Sequence, residues 1–167
     1  MPISQITGSS VYQSVLDSSR IVTKNAIQTA YAYLGSTQNV TSGTWTKVQF
    51  NGKIWDTATF GSNFDTSLNR FYPLSQGYYH ISAAINFSAD SGQSYAGIRL
   101  YKNGSPNLYG NYVTGSVGTI LTVNGLVFLN GATDYIEVYG LIGATNPQFI
   151  GGDWFATYIQ GMLVRVG

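Results

Sequence analysis

The chain has 167 residues, of which 44% are hydrophobic and only 9% are charged, with a net charge of +1. This length and apolar content are typical of one folded domain with a full hydrophobic core, and the near-neutral charge argues against nucleic acid or an anionic membrane as a partner. The absence of cysteine excludes disulfides and thiolate metal sites, and no apolar run approaches the roughly 20 residues of a transmembrane helix.

Residues 1–29 are rich in Ser, Thr and Gln and show no sustained strand alternation. They contain no basic segment followed by an apolar one, so we do not expect a secretory signal. We interpret them as an N-terminal arm that precedes a folded domain at 30–167. An arm of this composition forms no core of its own, but it can place spaced apolar side chains into grooves of a partner. The residues predicted to anchor it are Ile3, Ile6, Val11, Tyr12, Val15, Leu16, Ile21 and Val22.

The central part of the chain alternates between apolar and polar residues with a period of two, which indicates strands. Residues 77–88 give the clearest signal, and residues 119–129 predict a further strand in which Gly125 marks a bulge or a close contact. The Lys-Asn-Gly sequence at 102–104 predicts a hairpin turn. Short strands separated by Gly and Asn turns, without an amphipathic helix between them, predict an all-β sandwich. The side chains expected to face the core from 77–88 are Tyr79, Ile81, Ala83, Ile85 and Phe87.

The closing stretch "WFATYIQGMLVRV", residues 154–166, has no polar side. A strand needs only one apolar face to cover a core, so its second face must be covered by something else. An uncovered aromatic patch is rare on soluble monomers, and we therefore expect neighbouring subunits to cover this face. A loop or the arm folded over it is the alternative. The residues predicted to lie in the core or in an interface with neighbouring subunits are Trp154, Phe155, Tyr158, Ile159, Met162 and Val164.

Six segments, in this order, resemble the globular head domain of the C1q family, within the C1q/TNF jelly-roll superfamily. The resemblance implies a jelly-roll sandwich of two antiparallel sheets over 30–167. It also implies a compact homotrimer around a three-fold axis, with one face of the closing strand in the core and the other against neighbouring subunits. The segments are AYAYL at 30–34, NFD at 63–65 followed by RFYP at 70–73, GYYHIS at 77–82, IRLYKNG at 98–104, LNGATDYIEVYG at 129–140 and YIQGMLV at 158–164.

The titratable residues do not predict a catalytic site. His80 is the only histidine and lies on the less apolar side of its strand, where we expect a hydrogen-bonded or surface imidazole. Asp134 and Glu137 are an odd number of residues apart, so on a regular strand they point to opposite faces and do not form the paired carboxylates of a glycosidase. One His and no Cys argue against zinc. We therefore predict no enzymatic activity and no cofactor.

The remaining carboxylates are scattered near turn residues, where capping is their usual role. Asp90 and Asp153 could supply oxygen ligands to calcium, which some relatives of the family bind, but no dense acidic loop surrounds them. We expect structural roles for these groups. The carboxylates in question are Asp56, Asp65, Asp90 and Asp153.

These features together predict a structural protein of a virion. We expect a trimeric decoration, or cement, protein of a phage head, made in the host cytoplasm, whose arm binds the major capsid protein. The alternative is the receptor- or glycan-binding tip of a phage tail or head fibre, in which exposed aromatic residues stack on sugar rings. The aromatic residues in question are Trp45, Trp55, Tyr109 and Tyr112.

Overall fold

The computed structural model describes residues 28–57, 62–115 and 119–167, which form thirteen β-strands. No helix occurs within these ranges, and so none there is long and apolar enough to cross a membrane. The strands are β1 (Thr29–Tyr33), β2 (Gln38–Asn39), β3 (Thr46–Lys47), β4 (Gly52–Thr57), β5 (Phe64–Asp65), β6 (Arg70–Phe71), β7 (Gly77–Ser88), β8 (Ser91–Lys102), β9 (Ser105–Thr114), β10 (Thr119–Leu129), β11 (Ile136–Thr145), β12 (Gln148–Phe149) and β13 (Tyr158–Val166).

The predicted arm, 1–29, lies outside the described residues except for Gln28 and Thr29. The eight residues predicted to anchor it to a partner all lie in the part that is not described. Thr29 is the first residue of β1, the strand expected at 30–34.

The strands form two antiparallel sheets. The first sheet has the order β2-β12-β7-β13-β1-β4, and β10 also pairs with β7. The second sheet has the order β5-β6-β11-β8-β9, and β3 also pairs with β11. The closing strand β13 therefore lies between β1 and β7, strands from near the beginning and the middle of the chain. This arrangement confirms the predicted all-β jelly-roll sandwich.

The core lies between the two sheets and is built from alternate residues of the long strands. All five side chains predicted to face inward from β7 are at most 1% exposed. They meet Ile98, Leu100 and Val138 of the second sheet, which are also buried. Because strand side chains alternate between faces, the even-numbered residues of β7 point away from the core.

Local turn and packing chemistry agrees with the sequence at two further points. Asn103 and Gly104 both have a positive φ, 53° and 78°, as the two-residue turn between β8 and β9 requires. Gly125 is a close contact and not a bulge. The pairing of β10 with β7 shows no register shift, and a Cβ at Gly125 would lie 2.5 Å from Cδ1 of Leu108.

The closing strand begins at Tyr158, so Trp154 and Phe155 of the apolar stretch are not part of it. Trp154 and Phe155 precede the strand in a turn, which the Ala156 N–H closes by donating to the carbonyl of Asp153 at 3.2 Å. The buried Thr157 fixes the entry into the strand. Its hydroxyl donates to the carbonyl of Ile150 at 2.7 Å and accepts from the Asn86 N–H at 3.0 Å.

Candidate protein interface

The outer side of the first sheet carries a set of exposed apolar side chains, here called the apolar face. On β10 and β13, Leu126 and Met162 are 56% and 52% exposed, although both belong to regular strands. They stand on either side of His80 in the register of β10, β7 and β13. The large apolar side chains exposed on these three strands are Tyr78, Ile120, Leu126, Phe128, Met162, Val164 and Val166.

His80 lies at the centre of this face and is exposed, as the sequence predicted. It borders a shallow depression of about 250 Å³ together with Trp55, Gln160 and Met162. The neighbouring row of the sheet is polar, because Ser82 of β7 stands opposite Gln160 of β13. No Asp or Glu lines the depression, so the imidazole has no acidic partner there that would orient it as a catalytic base.

An aromatic cluster forms one end of the apolar face. Tyr31 stacks on Tyr158 with ring centroids 5.2 Å apart and lies 4.8 Å from the ring of Trp55. The Tyr31 hydroxyl donates to the carbonyl oxygen of Trp154 at 2.7 Å, which ties the turn before β13 to β1. Burial, with a smaller contribution from Tyr158, raises the pKa of Tyr31 to about 12, so this phenol remains a donor at neutral pH.

The structure divides the six closing-strand residues predicted for the core or the interface. Ile159 is 1% exposed and packs in the core. Tyr158 is half-buried in the aromatic cluster, on the outer side. The other four are exposed, namely Trp154, Phe155, Met162 and Val164.

Sequence reasoning missed the contribution of β10. In residues 119–129 the core-facing side chains include Leu121 and Val127, while Leu126 and Phe128 between and beside them are exposed. The sequence of β10 is apolar on both faces of the strand, which is the same signal that indicated an interface at the closing strand. The pairing of β10 with β7 places Leu126 and Phe128 beside His80 and Tyr78.

The buried carboxylates have structural partners. Asp134 and Glu137 form ion pairs with Lys102 and Lys47, each at 2.9 Å. Burial raises the pKa of the Asp134 carboxyl, but hydrogen bonds from Lys102, Asn103 and a backbone N–H outweigh it, so that the pKa lies below its ordinary value.

Two other carboxylates bind backbone N–H groups, as expected for capping residues. Asp65 accepts from the N–H groups of Ser67 and Leu68 at 2.9 and 3.0 Å. The Ser67 hydroxyl is the main cause that lowers the pKa of Asp65. Asp56 accepts from the N–H groups of Asn63 and Phe64 at 2.8 and 3.2 Å.

No group of three His, Asp or Glu side chains that could hold a metal ion occurs among the described residues. A polar depression of about 550 Å³ near β12 has Asp90 in its lining, and this carboxylate accepts a hydrogen bond from Asn146 at 2.8 Å. Its lining contains neither a second carboxyl nor a histidine, so the depression lacks the pair of acid and base groups that hydrolysis requires.

The four aromatic residues considered for sugar stacking lie on different sheets. Trp55 belongs to the aromatic cluster of the first sheet. Trp45, Tyr109 and Tyr112 lie on the outer side of the second sheet, where the last two are 69% and 56% exposed. These four aromatic side chains therefore cannot all stack on the same bound sugar.

Comparison with solved structures agrees with this architecture. No protein-family model and no curated protein sequence matches the chain. The structure of Eiger TNF from S. frugiperda superposes with a TM-score of 0.62 and 12% identity, over 84% of this chain and 94% of that one. Murine APRIL at pH 8.5 gives a TM-score of 0.57 and 13% identity, over 83% and 99% of the two chains. These likenesses show the fold, a C1q/TNF-like jelly roll.

Proposed function

We propose that the protein assembles as a homotrimer through the apolar face of the first sheet. The observation that carries this proposal is the adjacency of Leu126, His80 and Met162 across three neighbouring strands, with large apolar side chains exposed on either side of His80. Each Å² of apolar surface removed from water contributes about 25 cal/mol. Subunit contact over this face therefore supplies a driving force that the isolated chain leaves unused.

The composition of the face favours association of identical subunits. Its centre contains small or uncharged residues, including Ser82 and Gln160, and no carboxylate lines its central depression. Little charge therefore loses its water when two such faces meet. The aromatic cluster at the edge adds flat rings, which are enriched in protein interfaces.

We further propose that the trimer is a structural virion protein, a decoration protein that stabilises a phage head. A chain with 9% charged residues presents a largely uncharged polar surface that can pack against a shell with little desolvation of ions. Asp134 and Glu137 pair with lysine and Asp65 caps a turn, which supports structural roles for these carboxylates. Residues 1–29 supply the contacts to the major capsid protein in this proposal.

Two measurements test this function. Light scattering coupled to gel filtration should give three times the mass of the chain, and a stable monomer would contradict the trimer.

Phage particles produced with and without the protein should then be heated and their DNA release compared. A decoration protein predicts earlier release from particles that lack it. Unchanged heads that adsorb poorly to cells would instead support a fibre tip.

The fibre-tip alternative is favoured by one specific observation. Tyr109 and Tyr112 are exposed on the second sheet, on the opposite side of the sandwich from the apolar face. Trimer formation through the apolar face would leave them accessible to a ligand.

A further inference from the structure

The second sheet holds an arginine between two aromatic rings on its outer side. Arg99 of β8 stands opposite Tyr139 of β11 and Tyr109 of β9. Its guanidinium carbon lies 4.0 Å from the ring centroid of Trp45 and 4.3 Å from that of Tyr109. The two rings fix the plane of the guanidinium, and the edge that carries its hydrogen-bond donors is not covered by stacking.

Glycine at position 97 makes this arrangement possible. Gly97 is on the same side of β8 as Arg99, and a Cβ there would lie 2.8 Å from the Tyr112 ring and 3.2 Å from the Trp45 ring. Without a side chain at this point, both rings lie against the strand backbone. Tyr112 also stacks on Tyr95, with centroids 6.2 Å apart and planes at 13°. The surface beside Arg99 is therefore a set of packed flat rings.

Arg99 has no acidic partner within the described ranges. The three ion pairs found there use Lys47, Lys53 and Lys102, and no hydrogen bond of the Arg99 guanidinium occurs there. On the same row of the sheet, Lys47 already binds Glu137 at 2.9 Å. Arg99 is thus a half-buried cation whose donors have no acceptor in this part of the protein.

A second arginine on this sheet shows what is unusual about Arg99. Arg70 also lies over two rings, with its guanidinium carbon 5.1 Å from the centroid of Tyr72 and 4.6 Å from that of Tyr135. However, Arg70 stands opposite Asp65 in the pairing of β5 with β6, and its charge helps to lower the pKa of that carboxyl. The residues opposite Arg99 are instead two tyrosines, Tyr139 and Tyr109, neither of which supplies a carboxylate.

We propose that Arg99 and the exposed rings of Tyr109 and Tyr112 bind an acidic saccharide. The planar guanidinium matches the two oxygens of a carboxylate, and its donors form stronger hydrogen bonds to a charged acceptor than to a neutral one. The exposed tyrosine rings offer flat faces to the ring of a sugar that carries this carboxylate. The site does not depend on the trimer, because it lies on the opposite side of the sandwich from the apolar face.

The test is an NMR titration of the full chain that follows the Trp indole N–H signals. Sialyllactose and trigalacturonate are the acidic probes, and lactose and the methyl ester of trigalacturonate are their neutral partners. We expect saturable binding of at least one acidic probe and at least tenfold weaker binding of its neutral partner, since hydrogen bonds to charged groups contribute roughly twice as much as neutral ones. Absence of binding by both acidic probes, or equal binding of a neutral partner, would overturn the proposal.

Variants assign the binding to this site. Arg99→Gln removes the charge, Arg99→Lys keeps the charge without the fork, and each should weaken acidic-saccharide binding by roughly tenfold or more. Tyr109→Ala should weaken it as well. Arg70→Gln is the matched control, because it removes the same charge from an arginine with two aromatic neighbours, and it should leave the affinity unchanged. Unchanged affinity in folded Arg99→Lys, or an equal loss in Arg70→Gln, would refute the assignment.

Discussion

Gly161 controls how closely the two sheets approach at the closing strand. It faces the core from β13, where a Cβ would lie 2.6 Å from the Phe71 ring of the second sheet and 3.0 Å from Ile81. Phe71 in turn packs edge-to-face on Tyr79, with ring centroids 5.6 Å apart. A single small residue thus sets the packing of three large buried side chains.

Substitution of Gly161 by Ala should therefore destabilise the fold. Overpacking of a dense core typically costs about 1–3 kcal/mol, and the neighbours here are rings and a branched side chain. Urea unfolding measures the change. Gln160→Ala, at the adjacent residue on the outer side of β13, is the control and should alter stability much less. Equal stability of Gly161→Ala and the wild type would show that the sheets separate easily at this point.

The Asp134 carboxyl should make stability depend on pH in the acid range. Its pKa is lower in the folded protein than its ordinary value of about 3.9. The group therefore stabilises the fold above that value, and the contribution is lost as the pH falls through the folded pKa. Urea unfolding between about pH 5 and pH 3 should show a smaller fall in stability for Asp134→Asn than for the wild type. Asp153→Asn, at an exposed position, is the control.

At the scale of elements, β7, β10 and the turn at 103–104 could be predicted because their signals are local. Period-two alternation and an Asn-Gly turn need no information from the rest of the chain. The start of β13 could not be predicted in this way. The apolar run continues through the turn at Trp154, and the strand begins where Thr157 binds Ile150 and Asn86, the latter 71 residues away in sequence.

The candidate sites depended even more on strand pairing. Trp45, Arg99 and Tyr109 come from three separate strand regions and meet only when β8 pairs with its neighbours. No spacing in the sequence reveals such a contact. Nor does the sequence show that Trp45 and Trp55, only ten residues apart, lie on different sheets.

The two faces of β13 should respond differently to a buried charge. Met162→Asp places a carboxylate on the apolar face and should abolish the trimer while the monomer stays folded. Ile159→Asp places it in the core and should prevent folding, because an unpaired buried charge costs several kcal/mol. Light scattering and thermal unfolding distinguish the two outcomes, and Tyr112→Asp on the second sheet should leave both readouts unchanged. A normal trimer of Met162→Asp would refute the proposed interface.

At the scale of the whole molecule, the proposed functions are divided between the two sides of the sandwich and the arm. In this proposal the first sheet would provide subunit contacts, the second sheet would present Arg99 and its aromatic neighbours, and residues 1–29 would provide attachment. Three arms and three saccharide sites in one trimer would bind by avidity, so that weak individual contacts give firm attachment.

Removal of residues 1–25 should separate attachment from assembly. The truncated protein keeps all of β1 and should form a folded trimer with unchanged thermal stability. It should no longer bind phage heads, because the apolar side chains of the arm are gone. Sedimentation of heads mixed with the full-length or truncated protein measures the bound fraction. Full occupancy by the truncated protein would contradict the role of the arm.

The position of β13 between β1 and β7 also has a consequence for synthesis of the chain on the ribosome. The first sheet lacks its middle strand until the last nine strand residues have left the exit tunnel. Until then, β1 and one side of β7 present unpaired backbone groups next to apolar side chains, which favours contacts between nascent chains. Productive folding of this sheet therefore waits for β13, and a premature stop before β13 should yield a product prone to aggregate.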